Sequence, residues 1–404
     1  MGLAVIRMWC RLSRRRVEKI FQFLSCGGTC DFSHPQTGVP ALRAEAGASN
    51  RGSASGLFLT LLLLLLAVGG CTTQHKPVTT YLFYPPSPDE PRMQYLTGFS
   101  SDSKLFERSR WQTFLVGKPK QEMSVGKPYG IGTRRNEIFF CDTGFSGVGI
   151  VRLDKGGMEY FAPRGESQMR SPINAGMDVR GNLYVTDTES GLVLTYGPDR
   201  APLKPIGRKD EMKPCGLAIV GDDLYLTDLK NHQVRIYHLP DRTLLRTLPR
   251  SDDDGKGKLY SPANVAVDGK GRVYVSDPGA FCVQVYDADG KYVRTQGRQG
   301  VGPGQFARPR GLAVDHEGRL YVVDAATQVV QLFDQEGRLL MFFGNPSGSG
   351  PGVTSLPAGI AVDYDNVGYF EKFVAPGRKL EYVVFLTNQY GDQKISVYGF
   401  LQKP

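Results

Sequence analysis

The sequence predicts an all-β chain folded as a six-bladed β-propeller, with four-stranded antiparallel blades and an N-terminal strand closing the last one. Three observations carry that expectation. A Pro-x-Gly/Asn-aliphatic opening recurs at Pro128, Pro172, Pro214, Pro262, Pro309 and Pro357, at intervals of 44, 42, 48, 47 and 48 residues. The cleanest repeat holds four short alternating runs; between Arg308 and Gly344 they are Gly311–Asp315, Arg319–Asp324, Val329–Asp334 and Arg338–Phe343, separated by turn residues. A four-stranded unit with a period in the forties buries both sheet faces only when neighbours stack on it, which a propeller provides. Finally, the repeat from Pro357 has three runs, Ile360–Asp363, Glu381–Thr387 and Ile395–Tyr398, and then the chain nearly ends. Met93-Gln94-Tyr95-Leu96-Thr97-Gly98 matches a fourth strand, so residues 93–97 are expected to pair in and leave no sheet edge open.

Length and charge set the limits. The chain has 404 residues, 41% of them hydrophobic, and six blades of about forty-five residues fill one propeller without a second domain. The formal net charge of +9 divides unevenly: residues 1–70 hold eight Lys/Arg against three Asp/Glu, and the remaining 334 hold 41 against 37. A body so close to neutral offers no electrostatic footprint for nucleic acid, which excludes that class.

Taken in order, residues 1–50 show no periodicity. The basic run Arg14-Arg15-Arg16 and a Gly/Ser-rich stretch would make an overlong leader, so this part is expected to be disordered or untranslated, with translation starting downstream of Met1. Residues 51–70 read as a lipoprotein signal peptide. The run from Leu57 to Gly69 is thirteen residues long, follows Arg51 and ends in small residues, too short to span a bilayer comfortably. Val68-Gly69-Gly70-Cys71 resembles the bacterial lipobox, with Val and Gly standing where Leu and Ala or Ser are commonest. The resemblance implies that the Cys71 thiol is diacylated and becomes the mature N-terminus, a lipid anchor in the cell envelope, at the outer membrane, facing the periplasm or the surface. An ordinary cleaved signal or a membrane anchor is the alternative.

Residues 71–92 follow as a tether. Prolines at 85, 86, 88 and 91 favour extended polyproline backbone, a semi-rigid stalk. Tyr81, Phe83 and Tyr84 cluster within it, open to docking on a partner or on the propeller flank. Residues 93–404 form the propeller. Of seven cysteines, Cys10, Cys26 and Cys30 lie in the leader, Cys71 at the lipobox, and Cys141, Cys215 and Cys282 in three different blades. The last three allow at most one disulfide and read as small buried hydrophobes. There is no Cys-x-x-Cys-His, which excludes covalent c-type haem attachment.

Within the repeats, two recurrences invite explanation. The residue two after each Pro is Gly130, Asn174, Gly216, Asn264, Gly311 or Gly359, and because Gly and Asn tolerate positive φ, that conformation is expected there. Asp142, Asp187, Asp228, Asp277 and Asp324 end the second strand, with Asn388 in the sixth copy. A ring of carboxylates could suggest a metal, but a side chain recurring at one structural position is expected to bond the backbone N–H groups of the turn after it. These five are therefore read as structural.

The pattern Pro-x-Gly-hydrophobic-Ala-Val-Asp, Gly-x-Leu-Tyr-Val-x-Asp, Val-x-Val-Tyr/Phe-Asp, then a Gly-rich GVGPGQF before the next Pro, resembles the NHL repeat from Met93 to Phe400. The copies from Pro262 and Pro309 match best; the first departs at Cys141–Ser146, and the sixth carries an insertion, Glu371 to Leu380. Lipobox, Pro-rich stalk and six such blades together are similar to envelope lipoproteins of bacteria rich in multihaem cytochromes. The resemblance implies a binding scaffold, and it admits enzymes, so the chemistry is tested by residue.

A zinc-dependent lyase would need several histidines converging in the channel. His75 falls in the stalk, His232 after a second strand on the Pro-bearing face, and His238 and His316 near turns of the opposite face in different blades. A calcium-dependent lactonase would need acidic and amide groups near the axis; Asn174 and Asn264 are there, but Asp178, Asp268, Asp315 and Asp363 end the first strands and are expected to cap turns. The glycines of Gly297–Gly304 lack the following Lys-Ser/Thr and helix of a phosphate cradle. The acidic loop Asp252-Asp253-Asp254 is followed by Lys256 and Lys258 and reads as solvated. No catalytic residue, metal ligand or cofactor is expected.

What remains is a surface. The residues flanking each Pro put Lys127, Tyr129, Lys213, Arg308 and Arg310 on one face, with Ile173 and Leu356 between them. Tyr and Arg dominate binding hot spots, and a Lys/Arg ring attracts an acidic partner; ordinary solvated rim residues are the alternative. The expected function is a monomeric propeller working as a protein-interaction scaffold in the envelope, associated with a cytochrome or other electron-transfer complex. The runner-up is a hydrolase or lyase acting on a small ester or lactone in the channel. A glycan or cell-wall binder would want exposed aromatics, for which Tyr129 and Phe145 are available.

Overall fold

A computed structural model describes residues 81–106, 123–250, 255–347 and 350–403, and these residues form six antiparallel sheets. The first blade is Pro128–Arg134, Glu137–Asp142, Gly147–Arg152 and Gly157–Phe161. The next four, with inner strands Pro172–Met177, Pro214–Val220, Asn264–Val267 and Pro309–Val314, repeat the same up-and-down order of four strands. The sixth takes Pro357–Asp363, Leu380–Asn388 and Ile395–Leu401 from the end of the chain and Met93–Phe99 from its start. Met93 stands opposite Phe400 and Phe99 opposite Ile395, the expected closure. Among the described residues helix is confined to Asp102–Leu105 and three single 3₁₀ turns. No helix among the described residues is long and apolar enough to cross a membrane.

Core side chains fall into six layers, each sandwiched between adjacent blades. Phe139, Val148 and Ile150 of the first blade meet Ala175, Leu183 and Val185 of the second. Ile138 and Phe140, on the other face of the first blade, meet Val383, Phe385 and Val397 of the sixth. Period-2 alternation thus gives every sheet two apolar faces, and the ring covers both.

The stalk expected over residues 71–92 ends sooner than that boundary. Leu82–Tyr84 adds a fifth strand outside Met93–Phe99, with Leu82 opposite Tyr95 and Tyr84 opposite Met93. The Tyr84 ring lies 6.2 Å from Phe343 and 6.1 Å from Tyr398. The aromatic cluster therefore docks on the propeller, because its apolar rings find a partly open edge of the last blade to cover. The insertion of the sixth blade clasps the same place. Gln94, fully buried, donates to the Phe373 carbonyl at 2.8 Å and accepts from the Ala375 N–H at 3.0 Å.

The expectation of positive φ two residues after each Pro is overturned: none of the six residues adopts it. Close approach of neighbouring inner strands is the reason for Gly. A Cβ on Gly359 would stand 2.3 Å from the Tyr129 carbonyl oxygen, one on Gly311 2.4 Å from that of Ala358, and one on Gly130 2.5 Å from Asn174 Oδ1. Each Asn in the ring is flanked on both sides by Gly, so its side chain fills space that a neighbour's Cβ would need. Positive φ belongs instead to the residue four after each Asp: Ser146 (49°), Gly191 (71°), His232 (54°), Phe281 (55°) and Gln328 (59°).

A second ring lies beside the first. The bulge after most of the prolines takes the Gly/Asn N–H out of the strand ladder, and a hydroxyl satisfies it. Thr186, Thr227, Ser276 and Thr387 accept from the N–H of Asn174, Gly216, Asn264 and Gly359 at 2.7 to 3.0 Å. Three of them donate onward at 2.6 Å to the next blade: Thr186 to the Cys215 carbonyl, Ser276 to that of Arg310 and Thr387 to that of Tyr129. Cys141 and Val323 hold this place in the first and fifth blades.

Candidate functional site

The Pro-bearing face is built by the five buried aspartates. Each carboxylate accepts N–H groups from the turn after it and from the connection entering the same blade. Asp142 takes Gly126 and Lys127 at 2.8 Å and Gly144 at 2.9 Å. Asp187 takes Arg170, Ser171 and Ser190. Asp277 takes Tyr260, Ser261 and Gly279, and Asp324 takes Ala307, Arg308 and Ala326. Asp228 binds the N–H of Lys213 and Lys230, plus Nε of Arg235 at 2.9 Å. Burial would raise its pKa, but the bonds from Asn231, Lys213 and Arg235 outweigh that and hold the carboxyl below the usual carboxylate range. All five are fully buried, and each fixes backbone. Their consequence for the surface is direct: the backbone of Lys127, Lys213 and Arg308 is pinned by this ring.

Among the residues expected on this face, Lys213 and Arg308 are exposed and Lys127 is half-buried, its ammonium 5.4 Å from the Tyr390 ring. Arg310 differs from the expectation of a presented rim residue. It is 9% exposed, because the position between Pro and Gly turns into the channel mouth and not outward. There its guanidinium lies 5.2 Å from the centroid of the Tyr129 ring, and Cys215 occupies the equivalent place of the third blade. Burial pushes the Tyr129 hydroxyl up to about 12, with Cys215 adding and Arg310 opposing, and pushes the Cys215 thiol up to about 11. Cys141, Cys215 and Cys282 are all buried and free.

On this face two exposed aromatics were missed by reasoning from sequence. Tyr260 is 55% exposed and Tyr390 52%, beside Phe145 at 50%, and all three stand on the Pro-bearing face. Tyr260 occupies the second place before a repeat proline and Tyr390 the second place after Asn388, slots that alignment of the six copies locates on this face. Tyr129, grouped with Phe145 for a glycan reading, is half-buried under Arg310.

Below the mouth, the inner strands enclose a channel of about 330 Å³ lined by residues such as Ile131, Ala175, Leu217, Val265, Leu312 and Ile360, and no ionisable side chain is among its lining residues. The described histidines do not meet: His316 stacks on Tyr364 at 3.7 Å, His238 contacts Asp223 at 3.3 Å, and His232 is exposed in its turn. Asp178, Asp268, Asp315 and Asp363 accept the N–H groups of Asn182, Arg272, Arg319 and Asn366 in the turns that follow them. Among the described residues no group of three His, Cys, Asp or Glu could hold a metal ion. Cys71, His75 and the loop 252–254 lie outside the described residues.

A family model described as a 6-bladed beta-propeller matches residues 259–366. The chain is a six-bladed β-propeller. No curated protein matches it. Among solved structures it is similar to a protein of unknown function from Bacteroides thetaiotaomicron, at 17% identity over 68% of this chain and 70% of that one, with a TM-score of 0.49. It is also similar to a gluconolactonase from Xanthomonas campestris, at 14% identity over 77% and 89%, with a TM-score of 0.49. A third likeness is to virginiamycin B lyase from Staphylococcus aureus, at 12% identity over 69% and 86%, with a TM-score of 0.46. These are likenesses of fold.

Proposed function

We propose that the chain is a lipid-anchored cell-envelope protein whose NHL-type propeller is a protein-interaction scaffold, docking an acidic partner on its Pro-bearing face beside a cytochrome or other electron-transfer complex. The observation that carries the reading is the coincidence, on one face, of the exposed aromatics Phe145, Tyr260 and Tyr390 with the cations of Lys127, Lys213 and Arg308. Exposed aromatic and arginine side chains are the anchors of protein interfaces, and a positive rim speeds capture of an acidic surface. The apolar run ending at Cys71 supports the anchor, and the electron-transfer setting rests on the resemblance of the whole arrangement to lipoproteins of cytochrome-rich envelopes. For the runner-up, the channel has the volume of a small-ligand site, but general acid–base chemistry requires an ionisable group within hydrogen-bond reach, and the lining offers none.

Cross-linking and affinity capture of the lipidated protein from its native envelope tests this. One near-stoichiometric partner, cross-linked around Lys127 and Lys213 and lost with Lys213→Glu plus Arg308→Glu, is the expected result. Recovery of the propeller alone would count against the scaffold, and turnover of esters and lactones would become the assay.

A further inference from the structure

The channel mouth holds a charge without a counter-charge. Only two arginines are buried among the described residues, Arg235 and Arg310. Arg235 is paired twice, with Asp228 at 2.9 Å and Glu211 at 2.7 Å. Arg310 has no carboxylate partner among the described residues, its Nη1 is buried with no hydrogen bond, and Arg308 adds like charge beside it. A cation withdrawn from water and left unpaired opposes folding unless something completes it.

The surroundings say what would complete it. The guanidinium carbon stands over the Tyr129 ring, and Nη1, buried without a hydrogen bond, is left for an acceptor; an arginine's donors suit a carboxylate. Neither neighbour serves as a resident anion, since burial keeps the Tyr129 hydroxyl and the Cys215 thiol protonated at neutral pH. The mouth also sits at the centre of the Lys213 and Arg308 rim, where an acidic group would be steered.

We propose that the channel mouth is a receptor for a single carboxylate, with Arg310 as the group that binds it. In the docking reading, on which this rests, that carboxylate belongs to the protein partner and Arg310 is its anchor point.

The test uses the full chain with tetraglutamate as probe and chloride at equal ionic strength as control, read by calorimetry and thermal melting. Saturable tetraglutamate binding, weakened about tenfold or more by Arg310→Gln, is expected from the loss of charge-assisted hydrogen bonds. Without probe, Arg310→Met, neutral and of similar length, should melt roughly 2 °C higher, since it removes an unpaired buried charge. Equal peptide binding by the parent and Arg310→Gln would overturn the receptor, as would a lower melting temperature in Arg310→Met, which would make the arginine a packing residue. Capture from the envelope separates the two ideas. A partner held equally by the parent and Arg310→Gln overturns the receptor and keeps the docking face; peptide binding that needs Arg310, with no protein captured, supports the receptor and removes the docking reading.

Discussion

The hydroxyl of Thr387 donates to the carbonyl of Tyr129 at 2.6 Å, so the last blade grips the first at the inner ring, in addition to the apolar layer the two blades share. The same hydroxyl accepts the Gly359 N–H at 2.8 Å. Thr387→Val keeps the shape and strands a buried donor and a buried acceptor, and should cost about 2 kcal/mol or more, read from the urea midpoint at constant slope. Val323→Thr, which puts a hydroxyl at the equivalent place of the fifth blade, should leave stability at or above the parent's. A midpoint for Thr387→Val equal to the parent's would show that the relay contributes nothing.

Crowding, not φ, governs the Gly/Asn ring, and the two accounts part company at Gly130. Its Cβ would meet Asn174 Oδ1 at 2.5 Å and the Ile173 carbonyl oxygen at 2.7 Å. Gly130→Ala and Gly130→Asn should both destabilise by about 2 kcal/mol, the usual range for overpacking, whereas Asn174→Gly should cost only about 1 kcal/mol. Tolerance of Gly130→Asn in thermal melts would return the position to a backbone-conformation explanation.

Closure of the ring depends on a strand that begins the propeller and on the amide that locks it. Deleting residues 93–98 should abolish cooperative unfolding altogether, and calorimetry showing an unchanged transition would refute the closure. The milder Gln94→Ala removes both bonds to the 371–380 insertion and leaves a buried N–H and C=O unpaired, a loss of about 2 kcal/mol.

Acidification should act through Asp228. Its folded pKa is held below the ordinary value, which is about 3.9 in the unfolded chain. Such a group stabilises the fold above its unfolded pKa, and that contribution is lost as pH falls through the folded one. Denaturation midpoints of the parent should therefore fall from about pH 4 downward, and Asp228→Asn should follow a shallower limb over that window. Parallel limbs would place the pH dependence elsewhere, for instance at Asp178 or Asp268, whose carboxyls are also held low.

Repetition made most of this fold legible. Six prolines, a carboxylate closing five of the six second strands and a strand missing from the last copy were enough to give blade number, strand order and the closing segment. The Gly/Asn alternation was equally visible, but its cause was not, since neighbouring copies touch in space while standing more than forty residues apart in sequence. The same holds for Thr186, Thr227, Ser276 and Thr387, whose hydroxyls look like surface strand chemistry until the bulge beside them is seen. At the surface, the backbone frame under Lys127, Lys213 and Arg308 follows from the repeat. Burial of Arg310 does not, because it depends on a tyrosine from a blade two places away around the ring.

A ring tied shut by its first and last strands also orders its own manufacture. Residues 93–99 emerge from the ribosome among the earliest of the propeller and have only the short strand Leu82–Tyr84 to pair with until residues 395–401 arrive. Five blades can stack behind the growing chain, one against the next, while the first keeps its Ile138 and Phe140 face uncovered. Clipping or stalling anywhere before the final segment therefore leaves two sticky ends instead of a slightly smaller protein, and quality control needs to recognise only that pair to reject every incomplete copy.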